Sequence, residues 1–226
     1  MQSVYSHLAA ADEPRHDRFT MCQIELYKKM ASEIDAALDY KPIRHLLNSA
    51  GIERFTEYQF DMVRLGIGIY EKGFLNDPDL EFVASLKCKI LQIKELEPHD
   101  GTVGYGRHGR LHSNGITKIA TLPLGYADGI NRHLGCGKAR FMLNGKLVPT
   151  IGNICMDMCM IDITGVEAKV GDTVTIFGEN PKVSDLAKIL GTIPYEVFTS
   201  ISRRVKRVVV RESASLIIGA QRFHLQ

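Results

Sequence analysis

Hydrophobic and polar positions follow two different rhythms along this chain. Val4 to Leu8 reads as a short strand. From Arg18 to Leu38, apolar residues recur at helical spacing: Phe19, Cys22, Ile24, Leu26, Met30, Ile34 and Leu38. Pro42 ends that unit. Ile43 to Leu47 is a second short strand, closing on Asn48-Ser49-Ala50-Gly51. Glu53 to Gln59 reads as a short helix, and Met62 to Ile69 as a third apolar strand broken by Gly66 and Gly68. Strands and helices alternating in this way predict a parallel sheet with helical crossovers.

The rhythm changes after Tyr70. Residues 71–79 are polar, carry Gly73 and Pro78, and suit a linker. Beyond Phe82, β-type runs are separated by turns: Ala84 to Leu96, Thr117 to Pro123, Arg140 to Pro149, Met158 to Ile163 and Thr173 to Phe177. Asn144-Gly145 between two apolar runs is a hairpin signal. Ser184 to Leu190 reads as a helix with Ser184 as N-cap and Gly191 as its stop. Val205 to Val210 is a final strand. The expected class is therefore α/β plus a mostly antiparallel β domain. Three βα units cannot close a parallel barrel, which needs eight strands and about 250 residues. The first third thus reads as part of something larger, or as an open sheet with unpaired edges.

Composition narrows the field. The 226 residues allow one large domain or two small ones. Hydrophobic residues at 45% and charged residues at 24% are the balance of an ordinary soluble globular protein. A net charge of +2 gives no bulk attraction for nucleic acid. No apolar run approaches the roughly 18 residues of a membrane span, and no secretory signal is read at the start. Five cysteines, Cys22, Cys88, Cys136, Cys155 and Cys159, are odd in number and irregular in spacing. They read as reduced thiols of a cytoplasmic protein, not as a disulfide framework or a metal site.

Candidate chemistry sits at the ends of the predicted strands. His7, Asn48-Ser49 and Arg64-Leu65-Gly66-Ile67 all fall at or near C-terminal strand ends, the face that carries the active site in α/β barrels. Ser49 offers a hydroxyl donor, and Gly66 lets backbone N–H groups approach an anion closely. By residue type alone, both are as readily ordinary loop residues.

A series of short motifs runs from about residue 4 to residue 212. It begins with Tyr5-Ser6-His7, Ala11-Asp12-Glu13, His45 with Asn48-Ser49-Ala50, and Arg64-Leu65-Gly66-Ile67. The second half adds Val103-Gly104-Tyr105-Gly106, Gly125-Tyr126-Ala127-Asp128-Gly129 with Arg132, and Gly152-Asn153-Ile154-Cys155-Met156-Asp157. Tyr195-Glu196-Val197 and Ser202-Arg203-Arg204-Val205 close the series. Each is weak alone; together, and in this order, they resemble the bacterial alanine racemases, which use pyridoxal 5'-phosphate.

The resemblance implies an eight-stranded α/β barrel followed by a β domain, in a head-to-tail homodimer with shared active sites. Residues 1–72 would be the last three βα units, 73–81 a linker and 82–226 the β domain. The Schiff-base lysine and the barrel arginine that holds the substrate carboxylate would lie upstream, and no lysine here stands in the attachment motif. Tyr105 matches the tyrosine that a partner subunit supplies as a base. A free phenol releases its proton only near pH ~10, so such a base needs positive neighbours or hydrogen bonds to its anion. His7 matches the histidine that helps provide them. Arg64 matches the arginine that bonds the pyridine nitrogen, and His45 the histidine that buttresses it.

Ser49, Gly66, Ile67 and Tyr195 match the phosphate-binding set. Met156 and Asp157 match residues lining the substrate pocket, and Tyr126, Asp128 and Arg132 the entry corridor. The implied activity is interconversion of L- and D-alanine, supplying D-alanine for peptidoglycan, in some bacteria fused after a cell-wall ligase. No metal, nucleic acid or membrane partner is implied. Some positions depart from the family pattern: Arg107-His108-Gly109-Arg110 is unusually basic, Lys206 replaces a common proline, and Ser202-Arg203-Arg204 has arginine where an aromatic is common. Two other readings stay open: a racemase of another amino acid, and a non-catalytic dimerisation module. The tail from Ser213 to Gln226 looks additional to the family pattern.

Overall fold

The helical spacing after Arg18 folds as one long helix. In a computed structural model, which describes residues 1–70, 81–212 and 222–224, α1 (Asp17–Ala36) buries Thr20, Ile24, Tyr27 and Ala31 on one stripe. Strands β1 (Ser3–Tyr5) and β2 (Ile43–His45) pair in parallel, with Val4 opposite Arg44. The Tyr27 hydroxyl donates to the Val4 carbonyl at 2.9 Å and ties the helix to β1. A second apolar stripe of α1, Phe19, Leu26 and Met30, stays about half exposed. Helix α2 (Ser49–Arg54) begins at Asn48, whose side chain accepts the Gly51 N–H at 3.0 Å. It starts four residues before the expected Glu53, because the Asn48 cap satisfies its first free donors. Leu8, Ile24, Leu46, Leu47 and Phe55 form the core of this unit, Met1–Ser85.

The third strand expected over Met62 to Ile69 does not form a ladder. The segment keeps one parallel bridge, His45 to Met62, and an Arg64 N–H bond to the Leu47 carbonyl at 2.9 Å. It then tightens into a 3-10 turn at Ile67–Ile69. Two causes are visible. The Asp61 carboxylate takes the Arg44 N–H at 2.8 Å, a place where a neighbouring carbonyl would sit. Gly66 and Gly68 remove the side chains that stabilise a strand. The linker expected at 73–81 lies outside the described residues except Glu81, and the tail 213–226 lies outside them except 222–224.

The second unit, Leu86–Gln226, is antiparallel. Its first sheet is ordered β3 (Leu86–Lys89), β11 (Thr173–Phe177), β8 (Arg140–Leu143), β9 (Lys146–Pro149). The other is ordered β10 (Cys159–Asp162), β7 (Thr117–Leu122), β4 (Gln92–Leu96). Two short strands, β5 (Thr102–Val103) and β6 (Gly109–Arg110), pair separately. The run expected as continuous from Ala84 to Leu96 changes sheets at Ile90-Leu91. The Ile90 N–H bonds the Asp172 carbonyl and the Leu91 N–H bonds Thr121, one in each sheet's direction. A bridge from Thr150 to Ile161 ties the opposite seam. Phe141, Leu122, Leu143, Ile154 and Ile161 fill the space between.

The Asn144-Gly145 hairpin forms as the sequence predicts, with positive φ at both residues. Helix α3 (Val183–Leu190) stops at Gly191 as expected, but its N-cap is Lys182 in place of Ser184. The Asp185 carboxylate accepts the Lys182 N–H at 3.0 Å and sets that start. Helix α4 (Pro194–Ser200) was not expected; Pro194 in its first turn is the signal for it. The final strand begins only at Val210, as β12 (Val210–Glu212), paired with β13 (Arg222–His224). Arg207 explains the delay: its guanidinium takes the carbonyls of Ile201, Ser202 and Val205 at 2.9, 2.7 and 2.8 Å, so the approach to the strand is a collar.

Candidate active site

The first unit gathers its predicted polar residues around Arg64. Nη1 lies 2.7 Å from His45 Nδ1 and 3.3 Å from the His45 carbonyl. Nη2 donates to the Ser6 and Leu46 carbonyls at 2.7 and 3.1 Å and lies 3.3 Å from His7 Nδ1. A guanidinium only donates, so His45 Nδ1 accepts and the proton of that ring is on Nε2. Burial, and then the Arg64 charge, hold His45 below the ordinary histidine range. Tyr5 stacks on His45, rings 5.1 Å apart, and the Arg64 guanidinium lies 5.3 Å from the same tyrosine ring. Among the described residues nothing accepts from the Arg64 Nε–H.

His7 is exposed between two donors, Arg64 Nη2 and the Asn48 amide at 3.4 Å from Nε2. A neutral imidazole has one acceptor nitrogen, so at most one of these contacts is a hydrogen bond. Ser49, 2% exposed, accepts the Gly66 N–H at 2.9 Å. The Gly66 N–H expected to meet an anion is therefore turned to Ser49, whose own hydroxyl hydrogen no described residue accepts. Ile67 is buried at the start of the following turn.

The second unit holds the remainder. Tyr105 lies in a tight turn between Gly104 and Gly106, both at positive φ, and is 73% exposed. Its carbonyl accepts from the Asn153 amide at 2.7 Å, which fixes the turn against the Gly152–Asp157 loop. The Gly125–Gly129 turn is bound to the same loop: Tyr126 N–H donates to the Cys155 carbonyl at 2.9 Å, Ala127 N–H to Met156 at 3.0 Å. Asp128 is buried and accepts the Gly125 N–H at 2.8 Å. Burial alone would raise its pKa, but the Arg204 and Gly125 hydrogen bonds outweigh it and hold the carboxyl below the usual range. Met156 and Asp157 are exposed; Arg132 is exposed on its own 3-10 turn, and Tyr195 stands on α4.

Sequence reasoning missed several of these partners. Arg204 reaches Asp128 from 76 residues away, Asn153 holds Tyr105 through a carbonyl, and Tyr5 covers His45. None leaves a local spacing signal. Elsewhere, His112 Nε2 lies 2.7 Å from Asp162, and all five cysteines are free thiols. Burial pushes the Cys88 thiol up to about 12. Among the described residues no group of His, Cys, Asp or Glu is placed to hold a metal ion. No helix of the described residues is long and apolar enough to cross a membrane.

One unit thus carries an arginine–histidine cluster beside a parallel strand pair, and the other a tyrosine-bearing turn in an antiparallel β domain. Residues 1–72 match the model of the alanine racemase N-terminal domain, and residues 83–209 that of the alanine racemase C-terminal domain. The chain belongs to the alanine racemase family. It is 38% identical over 221 residues to alanine racemase 1 of Clostridium acetobutylicum, covering 93% of this chain and 56% of that one. The Treponema denticola alanine racemase is 39% identical over 230 residues, 94% of this chain and 59% of its own. Among solved structures, the Bacillus anthracis alanine racemase with bound L-Ala-P aligns at a TM-score of 0.83 and 31% identity, covering 99% of this chain and 57% of that one. The Clostridium difficile 630 alanine racemase in complex with cycloserine aligns at 0.80 and 38%, covering 92% and 56%. The chain thus spans about half the length of the relatives it matches.

Proposed function

We propose that this chain supplies part of a cytoplasmic enzyme that interconverts L- and D-alanine with pyridoxal 5'-phosphate, providing D-alanine for peptidoglycan. Residues 1–72 are the last three βα units of its (β/α)8 barrel, 73–81 a linker and 82–226 the β domain. The enzyme is a head-to-tail homodimer with shared sites, and an upstream cell-wall ligase is one form its longer polypeptide takes. The observation that carries this reading is Arg64. Both terminal nitrogens are committed to protein acceptors, and among the described residues nothing accepts from Nε–H.

That donor set fits the cofactor's unprotonated ring nitrogen, because a guanidinium does not give up its proton. Ser49 fits the phosphate, being buried with a hydroxyl hydrogen to give; Ile67 and Tyr195 join it in that set, and Gly66 serves it by holding the Ser49 oxygen with its N–H. When bound, the cofactor supplies a sink for the negative charge left at the substrate α-carbon. Arg64 orients the ring and, by withholding a proton, weakens that sink. His45 and Tyr5 hold Arg64 in place, and His7 stands beside it. Tyr105 removes or returns the α-proton on one face, its backbone held by Asn153. Met156 and Asp157 line the substrate pocket, and Tyr126, Asp128 and Arg132 restrict entry to a small amino acid.

The test uses this chain joined to the portion of the C. acetobutylicum racemase that has no counterpart here. Replacing one of two bases with Tyr105→Phe leaves exchange on one face only. Racemisation falls by about 10²-fold or more, in both directions equally because the equilibrium constant is one. Meanwhile, NMR in deuterium oxide shows α-proton exchange continuing for one enantiomer alone. Unchanged racemisation in Tyr105→Phe contradicts the assignment.

A further inference from the structure

Three segments of the β domain meet at one side chain whose role the motifs do not assign. Arg204 Nε donates to Asp128 Oδ1 at 2.7 Å, and Nη2 donates to Asp157 Oδ1 at 2.6 Å. The two aspartates belong to different loops: Asp128 to the Gly125–Gly129 turn and Asp157 to the loop after Gly152. Those loops already touch through backbone. Gly125 lies so close to the Cys155 and Met156 carbonyl oxygens that a side chain there would overlap both. The segment carrying Arg204 is itself pinned. Ser202 N–H bonds the Asp128 carbonyl at 3.0 Å, Gly129 packs on the Ser200 carbonyl, and Arg207 collars the chain just beyond.

The charge arrangement is asymmetric. Asp128 has only 9% of its side chain exposed and accepts a second bond from Gly125, whereas Asp157 is 55% exposed. Arg204 is thus the one described cation paired with either carboxylate. A planar guanidinium with donors on two edges bridges two carboxylates at once; an ammonium is a point charge without that fork.

We propose that Arg204 is the positioning residue of the substrate entry: one guanidinium locks the Gly125–Gly129 turn to the Asp157 loop and neutralises Asp157. This rests on the racemase reading, in which both loops line the path of an amino acid. With Arg204 in place, the carboxylate of an incoming amino acid meets a neutralised Asp157. Without it, Asp157 presents a bare negative charge to an anionic group, and the two loops lose their shared anchor.

Two arms test this separately. In the chain itself, hydrogen exchange of the Tyr126 and Ala127 amides reads the clamp with no cofactor or activity needed. Arg204→Gln speeds their exchange about tenfold or more relative to β7 and β10 amides, and Arg204→Lys restores part of the protection. Equal exchange in wild type and both variants overturns the clamp. If Arg204→Gln does not fold, Arg204→Lys carries the comparison alone, and unchanged exchange there has the same meaning.

In the active fusion, Arg204→Gln raises the KM for alanine about tenfold with a smaller change in kcat. Adding Asp157→Asn to Arg204→Gln returns most of the KM. A KM that stays raised in the double variant overturns the charge role and leaves only a structural one. A fusion that folds but never racemises overturns the racemase reading instead, while the exchange arm still decides the clamp.

Discussion

The two units are built to different degrees of closure. Among the described residues, the β unit buries 22 apolar residues in one cluster, and its sheets are joined at both seams. The described residues of the α/β unit bury nine, around a parallel pair of strands. Parallel sheets are normally covered on both faces. Here Tyr5, Ile43 and Met62 by the strands, and Phe19, Leu26 and Met30 on α1, are all more than two-fifths exposed. The lesson is that one family's motifs sit on two supports. One holds its loops through its own closed core; the other presents a well-made arginine cluster on a sheet with open sides.

The largest expected effect is in the closed unit. Phe141 is fully buried, so Phe141→Ala costs about 4 kcal/mol in urea unfolding followed by hydrogen exchange. The loss falls on β-unit amides and leaves α1 amides unchanged. If α1 amides are equally affected, the units do not have separate cores.

Within α1 the two stripes separate next. Ile24→Ala on the buried stripe costs about 3 kcal/mol, whereas Leu26→Ala on the exposed one stays within about 0.5 kcal/mol. A comparable cost at Leu26 in the chain alone would mean that stripe is covered in solution.

The smallest effect is in pH dependence. His45 is held neutral by burial and Arg64, so its folded pKa is depressed. The unfolded chain then binds more protons, and the α/β unit loses stability as pH falls through about 6.5, the unfolded value. The carboxyls of Asp128 and Asp162 are also depressed, against the opposing effect of burial. Their contribution is complete above about pH 4 and is lost as pH falls below it. Acid titration monitored by amide exchange should therefore open the α/β unit first. Simultaneous opening contradicts the assignment of His45.

Much of this architecture was legible because local signals agreed with the fold. The α1 spacing, the Asn144-Gly145 hairpin and the Gly191 stop each depend on residues near one another in the chain. What was not legible depends on distant partners. Met62 to Ile69 has strand-like composition, but the Asp61 side chain and two glycines break the ladder. Val205 to Val210 also reads as a strand, yet Arg207 consumes the carbonyls before it. In the site, motif residues such as Arg64 and Asp128 could be named from the sequence. Their orienting partners, Tyr5 on His45, Asn153 on Tyr105 and Arg204 on both aspartates, exist only once the loops are folded together. Apolar periodicity in α1 likewise cannot tell a buried stripe from an exposed one.

The proposal to be tested is that this chain carries part of an alanine racemase site, which the unmatched portion of a relative completes. The direct measurement is racemisation of L-alanine in the presence of pyridoxal 5'-phosphate, by the chain alone and by its fusion to the unmatched portion of the C. acetobutylicum racemase. The account predicts no D-alanine from the chain alone and steady D-alanine formation from the fusion. D-alanine from the chain alone, or none from a folded fusion that binds the cofactor, would contradict it.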